Sequence, residues 1–190
     1  MQMRAAEISD AKEIAYLANL AAAGIPYFCW KLSNPTLDPW SIGVEIVRRD
    51  VGDYSYKNCL LLVDGNNVAA LLNSFRLTKA DTLADIEALP PVLHPLVRLE
   101  NRTVGNWYIN TLATSEKFRK QGCAAKMLGQ ADELAKLAGA KKNSLLVRSG
   151  NAGARKLYEK FGFNSVAEEK AVPFEGSLVG EYWILMEKTL

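Results

Sequence analysis

The chain has 190 residues, of which 49% are hydrophobic and 23% are charged, and its formal net charge is +2. This balance favours one globular domain over residues 1–190 with a sizeable core, and the small net charge argues against a nucleic-acid partner. A single histidine and three scattered cysteines argue against a metal site or a disulfide framework. No apolar run approaches the ~18 residues that span a bilayer, and the first residues lack the apolar core of a signal peptide, so we expect a cytoplasmic protein without a membrane partner.

The first third of the chain predicts a strand, two helices and a hairpin. Met3–Ile8 is the predicted strand, and Asp10 with Glu13 forms a helix-opening capping box. Gly24-Ile25-Pro26 ends that helix, and Asp38-Pro39 opens the second one, because proline suits the first helical turn. The predicted hairpin consists of Leu60–Val63, a turn at 64–67, and Val68–Leu72.

A long connection, Thr78 to Gly105, separates the hairpin from the next strand. Within it, Thr82–Leu89 and Leu93–Glu100 are candidate helices, with Pro90-Pro91 as the break between them. Long connections are often functional. The insertion therefore either covers apolar surface or forms part of the wall of a binding site.

A basic glycine loop, Arg119–Ala124, lies between a predicted strand that begins at Trp107 and a predicted helix. A helix start exposes free N–H groups and the positive end of the helix dipole, and it binds anionic phosphate readily. Gly122 allows close approach of a ligand because it has no Cβ, and Arg119 and Lys120 add positive charge. The alternative is an ordinary basic surface loop.

The elements after the loop are an amphipathic helix, a buried strand, a second helix and two terminal strands. Gly139 ends the first helix, Ser144–Val147 is the buried strand, and Asn151 caps the second helix. Seven apolar residues share one face of the first helix: Ala124, Met127, Leu128, Ala131, Leu134, Ala135 and Ala138. The second helix places Ala154, Leu157, Tyr158 and Phe161 on one face, and the terminal strands cover 164–172 and 178–188.

Three motifs in this order resemble the GNAT (GCN5-related) N-acetyltransferase superfamily. Arg119-x-x-Gly122-x-Ala124 resembles its R/Q-x-x-G-x-G/A acyl-CoA loop, and Leu112-Ala113-Thr114 resembles the preceding "LAV". The run from Asn151 to Phe163 is similar to its N-x-x-A-x-x-L-Y-E-K-x-G-F element. The resemblance implies an α/β (α+β mixed sheet) fold of the GNAT acyl-CoA N-acyltransferase type, with about seven strands and helices on both faces.

The resemblance also implies acetyl-CoA as co-substrate and no metal. Leu112, Ala113 and Thr114 would form a bulge whose backbone pairs with the pantetheine arm. Asn151 would contact the CoA arm, with Ala154 and Tyr158 on the same helix also in the cofactor site. The pyrophosphate would be bound by the loop residues Arg119, Lys120, Gln121, Gly122, Cys123 and Ala124.

The implied reaction is transfer of the acetyl group to a primary amine of a small molecule or a protein, by direct attack in a ternary complex. Tyr158 is our candidate general acid, because a phenol with a pKa of about 10 holds its proton at neutral pH; the alternative is a packing tyrosine. Many relatives carry a carboxylate on the strand before the loop, but 107–111 has none, so Glu100 is the candidate base. The alternatives are that Glu100 is a solvated charge beside Arg98 and Arg102 and a water chain serves instead, or that the amine arrives largely neutral and needs no strong base. Four aromatic residues near the first two helices either border the acceptor site or bury one another: Tyr27, Phe28, Trp30 and Trp40.

Two other classes of function are alternatives for this sequence. A non-catalytic acyl-CoA-binding module of the same fold is favoured by the missing strand carboxylate and opposed by Tyr158. A dinucleotide-binding oxidoreductase would need G-x-G-x-x-G, of which only Gly122 is in place. We expect the protein to be a monomer or a homodimer.

Overall fold

The computed structural model describes residues 1–175 and 181–190. Within these residues the chain forms seven strands and seven α-helices, joined by short turns. In chain order they are β1 (Gln2–Ala5), α1 (Ala11–Ala21), α2 (Ile25–Ser33), α3 (Pro39–Arg48), β2 (Cys59–Asp64), β3 (Asn67–Arg76), α4 (Leu83–Glu87), α5 (His94–Glu100), β4 (Trp107–Thr114), α6 (Cys123–Leu137), β5 (Lys142–Arg148), α7 (Ala152–Lys160), β6 (Asn164–Lys170) and β7 (Tyr182–Thr189).

The strands form one seven-stranded sheet in the order β1-β2-β3-β4-β5-β7-β6. β4 runs parallel to β5, with Trp107 opposite Asn143 and Ile109 opposite Leu145. β1 with β2, β2 with β3, β5 with β7, and β6 with β7 are antiparallel pairs. The sheet is therefore mixed, and the predicted seven-stranded α/β fold is confirmed.

The described chain groups into two compact units. The first unit comprises Met1–Ser74 and Asn110–Gly129 and contains α1, α2, α3, β1 and β2. Its core forms because α1 and α3 turn apolar stripes toward the strands, as helices with one apolar face do. The buried members of this core are Ala6, Ala11, Ile14, Ala15, Leu17, Trp30, Val47, Cys59, Leu61, Leu71 and Ala113.

The second unit comprises Phe75–Ile109 and Gln130–Leu190 and contains α4, α5, α7, β5, β6 and β7. Helix α5 packs against β5, β6 and β7, and its Val97 and Leu99 are buried. The insertion thus forms the two predicted short helices, and they bury apolar side chains in this unit. Whether the insertion also borders a binding site stays a prediction. The prediction of a single domain over residues 1–190 likewise stays a prediction.

The prediction for the first strand and the first helix start was partly wrong. The strand ends at Ala5, because the Asp10 carboxylate accepts the Glu7 N–H at 2.7 Å and closes a turn over residues 7–10. The Arg4 guanidinium holds both oxygens of the same carboxylate at 2.8 Å. Asp10 therefore makes its cap-like contacts with residues before it and not, as predicted, with Glu13.

Helix α2 was not predicted. Gly24 has a φ of +92°, which reverses the chain after α1 as expected. Pro26 then lies in the first turn of α2, where a missing N–H costs nothing, instead of ending a helix. Ile25, Pro26 and Trp30 bury one face of α2, so tertiary packing supports a helix at this position.

The remaining predicted elements lie close to their expected positions. Asp38 caps α3 by accepting the Ser41 N–H at 2.9 Å, and the hairpin turns at 64–67 as predicted. α6 ends at Leu137, two residues before the predicted terminating glycine, Gly139, which has a φ of +68°. Residues 178–180 of the last predicted strand, 178–188, lie outside the described residues. So does Gly176, the last residue of the predicted link Pro173–Gly176 between the two terminal strands.

Candidate functional site

The end of β4 carries the first group of predicted cofactor-binding residues. Ala113 is 5% exposed, and Leu112 and Thr114 are half-buried. Just beyond the strand, the Ser115 N–H donates to the Ala69 carbonyl at 2.9 Å, which holds the start of the following loop against β3. The predicted bulge at Leu112–Thr114 stays a prediction.

The glycine loop turns through two left-handed residues before α6 begins. Lys120 has a φ of +62° and Gly122 a φ of +78°, a region that glycine adopts readily and other residues rarely. The Lys126 N–H donates to the Gly122 carbonyl at 3.1 Å, so the helix starts directly after the glycine. In any α-helix the N–H groups of this first turn have no acceptor within the helix.

Open space surrounds Gly122. A Cβ placed on it would meet no atom within 4 Å, so the glycine is required by its backbone angle and not by crowding inside the protein. Open space beside free N–H groups at a helix start is what an anionic pyrophosphate needs. The loop therefore has the features of an anion site, and its contact with the phosphates of acetyl-CoA stays a prediction.

The side chains of the loop divide into exposed cations and anchoring groups. Arg119 and Lys120 are exposed, and Arg119 lies 3.6 Å from Glu116. Such an exposed ion pair is weak, so Arg119 can turn to an anionic ligand at little cost. Gln121 donates from Nε2 to the Lys117 carbonyl at 3.0 Å. Cys123, only 2% exposed, points its Sγ to the Phe118 carbonyl, so only its backbone is available to a ligand.

Asn151 and Ala154 lie in the first turn of α7, in the second unit. The Asn151 Oδ1 accepts the Ala154 N–H at 3.2 Å, which confirms the predicted helix cap. Asn151 is exposed and Ala154 is half-buried. Contact of either residue with the CoA arm stays a prediction.

Tyr158 lies on the buried face of α7 and is 8% exposed. Its ring centroid is 6.1 Å from that of Phe163. Among residues 1–175 and 181–190 its hydroxyl has no hydrogen-bond partner, and burial raises its pKa to about 12. The phenol therefore keeps its proton throughout the neutral range, as a general acid must.

Glu100 ends α5 and lies beside β4 in the second unit. Its Oε1 accepts a hydrogen bond of 2.8 Å from the hydroxyl of Tyr108, a residue of β4. Arg98, one of the two arginines expected beside Glu100, instead bonds Glu169 at 3.0 Å. Glu100 is half-buried. Strand β4 has no carboxylate of its own, but its Tyr108 hydroxyl binds the carboxylate of Glu100. Sequence reasoning missed Tyr108, because the contact spans eight positions from a helix end to a strand and follows no helix or strand period.

Three of the four predicted aromatic residues form one cluster in the first unit. The Trp40 ring lies 5.2 Å from Tyr27, 5.9 Å from Trp30 and 6.2 Å from Tyr16, measured between centroids. Trp30 is buried over Gly43, where a Cβ would meet its ring at 2.5 Å.

Trp40 continues from this cluster into a cleft of about 700 Å³ between α1 and α3. The residues that line the cleft are Lys12, Glu13, Tyr16, Asp38, Trp40, Ser41, Val44, Glu45 and Arg48. Trp30 thus serves packing, whereas Trp40 offers a ring that is 36% exposed.

Within the described residues no group of three or more His, Cys, Asp or Glu side chains is arranged to hold a metal ion. Across the same residues no helix is both long enough and apolar enough to cross a membrane.

A mixed seven-stranded sheet with a glycine loop opening the helix after β4 is the arrangement of the acetyltransferase (GNAT) fold. The model of the acetyltransferase (GNAT) family matches residues 29–163, and the chain belongs to this family.

Three relatives illustrate the likeness. The chain is 37% identical over 68 residues to GCN5-related N-acetyltransferase 4, chloroplastic, from Arabidopsis thaliana, a match that covers 36% of this chain and only 23% of that protein. An N-acetyltransferase from Staphylococcus aureus Mu50 superposes with a TM-score of 0.64 at 22% identity, over 98% of this chain and 100% of the other. The ribosomal-protein-S18-alanine N-acetyltransferase from Escherichia coli superposes with a TM-score of 0.61 at 17% identity, over 99% of this chain and 92% of the other. The structural matches show a shared fold.

Proposed function

We propose that this protein transfers the acetyl group of acetyl-CoA to a primary amine of a small molecule or a protein, by direct attack in a ternary complex. The observation that carries the proposal is the loop at Gly122, whose left-handed glycine and free helix-start amides fit a pyrophosphate within a chain of the acetyltransferase (GNAT) family.

Acetyl-CoA supplies the activated acetyl group. The backbone amides around Gly122, with the Arg119 and Lys120 charges, hold the phosphates, and Asn151 contacts the CoA arm. Glu100 accepts a proton from the incoming ammonium, because only the neutral amine is a nucleophile. Tyr158 gives its proton to the departing thiolate; burial raises its pKa to about 12 and so keeps the phenol protonated until the thiolate forms.

The acceptor in this proposal is an amine. The structural neighbours do not show whether it belongs to a small molecule or a protein, because their similarity to this chain extends only to the fold. The name of the Escherichia coli neighbour states a protein substrate, and the name of another matched structure, a putative phosphinothricin N-acetyltransferase, states a small molecule. We propose that the cleft at Trp40 contributes to acceptor binding. An exposed aromatic ring with the Glu13 carboxylate in the same cleft suits an organic cation, whereas Glu45 is already paired with Arg48 at 2.7 Å.

The test is release of free CoA thiol from acetyl-CoA in the presence of an amine panel: spermidine, tyramine, free lysine and a lysine-containing peptide. Mass spectrometry of the fastest acceptor must show one added acetyl group. Calorimetry with acetyl-CoA runs in parallel. Binding of acetyl-CoA without thiol release for any amine would favour the binding module instead, and absence of binding would refute both.

A further inference from the structure

We infer that Tyr108 is a positioning residue, which holds the Glu100 carboxylate at strand β4 so that it can act as the base. The inference rests on the proposed function and assigns a role to a residue that the sequence motifs do not include. Tyr108 contacts the proposed base and not the substrate.

The hydrogen bond itself is well formed. The Tyr108 hydroxyl donates to Glu100 Oε1 at 2.8 Å, the ordinary distance for an O–H donor on an oxygen acceptor. A donor to a carboxylate favours its charged form. The contact therefore orients the Glu100 carboxylate at strand β4.

Tyr108 is fixed from several sides. It is 3% exposed, and its ring meets that of Phe75 nearly edge-on, with centroids 6.0 Å apart and planes at 69°. Its backbone lies in the parallel ladder opposite Ser144 of β5. The position of the hydroxyl is thus set by the sheet and by packing, and not by Glu100.

The backbone of Glu100 is fixed as well. The buried Thr103 hydroxyl donates to the Glu100 carbonyl at 2.8 Å, in the turn that follows α5. A glutamate on a helix end normally samples several rotamers. Here Thr103 holds the main chain of Glu100 and Tyr108 holds its carboxylate. A solvent-exposed glutamate without a function would need neither contact.

This arrangement also accounts for the composition of β4. Residues 107–111 contain no Asp or Glu, yet the phenol of Tyr108 brings a carboxylate of the 78–105 insertion to the strand. The insertion would then supply the base from outside the strand, through Tyr108.

The experiment compares wild type, Tyr108→Phe, Glu100→Gln and the double variant, with the fastest amine of the panel. Ser55→Ala is the matched control: it also removes one buried hydroxyl, which bonds the Arg49 carbonyl at 2.6 Å. Turnover and the KM for acetyl-CoA are measured from about pH 5 to pH 9, with thermal melts of every variant.

If the inference holds, Tyr108→Phe lowers turnover by on the order of tenfold and moves the acid side of the pH profile up by about one pH unit, because the carboxylate loses one donor. The KM for acetyl-CoA stays unchanged. Glu100→Gln lowers turnover by on the order of 10²-fold, most at low pH, and the double variant is no slower than Glu100→Gln. Carbon-13 NMR of labelled glutamate, assigned with Glu100→Gln, shows the same shift of the carboxylate titration in Tyr108→Phe.

The outcomes are distinguishable. A wild-type pH profile in Tyr108→Phe beside a slow Glu100→Gln overturns the role of Tyr108 and leaves that of Glu100. Wild-type turnover in Glu100→Gln overturns both roles and leaves acetyl transfer. A profile in Ser55→Ala that moves as far as that of Tyr108→Phe would show that lost stability alone explains the effect.

Discussion

Replacement of Tyr158 by phenylalanine separates catalysis from packing. The substitution keeps the ring that lies 6.1 Å from Phe163 and removes only the hydroxyl. That hydroxyl has no hydrogen-bond partner among the described residues, so its removal should change the free energy of unfolding by less than about 1 kcal/mol. Any large change in turnover must then come from the proton that the hydroxyl carries.

We expect Tyr158→Phe to lower turnover by on the order of 10²-fold with nearly constant acetyl-CoA affinity. The assay is thiol release at saturating acetyl-CoA, together with calorimetry and a thermal melt. Tyr182→Phe, the same change at a residue that is 40% exposed, is the control and should leave turnover unchanged. Turnover at the wild-type level in Tyr158→Phe would refute the acid role and favour a packing tyrosine.

The pKa of Tyr158 gives a second test that needs no acceptor. Sequence reasoning alone, with a phenol pKa of about 10, predicts that activity falls as the phenol ionises at high pH. Burial raises this pKa to about 12, so that limb lies beyond the usual assay range.

Because the folded pKa is raised, the stability linked to this group is complete below about pH 10 and is lost as pH rises toward 12, by about 3 kcal/mol for two pH units. The Tyr158→Phe variant should lack this loss. Urea unfolding of both proteins at high pH measures it, and equal losses would contradict the raised pKa.

Three further predictions follow from the loop, the cleft and the first turn. Gly122→Glu should abolish acetyl-CoA binding in calorimetry, because the side chain blocks the loop amides and repels phosphate. Gly139→Glu is the control: it introduces similar strain at a left-handed φ in open space at the other end of α6, and this variant should bind acetyl-CoA normally. Trp40→Ala should raise the KM for the amine by roughly 2- to 30-fold, as expected for a cation–π contact of about 0.5–2 kcal/mol, whereas Trp40→Phe should retain most of the affinity; an unchanged KM in Trp40→Ala would remove the cleft from the acceptor site. The Arg4 guanidinium lowers the pKa of Asp10, so this carboxylate stabilises the fold above about pH 4 and its contribution is lost as pH falls further. Asp10→Asn should therefore flatten the acid side of a plot of melting temperature against pH. An unaltered acid side would contradict the assignment.

The parts of the fold that local chemistry determines could be predicted from the sequence. The capped start of α3 at Asp38, the hairpin at 64–67 and the glycine end of α6 follow from turn and cap residues, which act over a few positions. The left-handed Gly122 at the start of α6 belongs to the same class. These are the features on which the phosphate-loop prediction depended.

The parts that depend on contacts across the fold could not be predicted. Helix α2 forms although it begins with Ile25-Pro26, because Trp30 is buried over Gly43, a contact that spans 13 positions by number. The contact between Tyr108 and Glu100 joins a strand to an inserted helix and follows no periodic pattern. Glu100 was predicted as a candidate base, but the residue that holds it was not.

The environment of Tyr158 bears on the choice between an enzyme and a binding module. The Tyr158 hydroxyl makes no hydrogen bond within the described residues, so a phenylalanine would pack against Phe163 about equally well and the hydroxyl adds little to the stability of the fold. A module that only binds acetyl-CoA gains nothing from the hydroxyl. An acetyltransferase gains a proton donor that stays protonated up to a pKa of about 12. A hydroxyl that adds little to packing is better explained by proton donation to a departing thiolate, and this favours the catalytic function over the binding module.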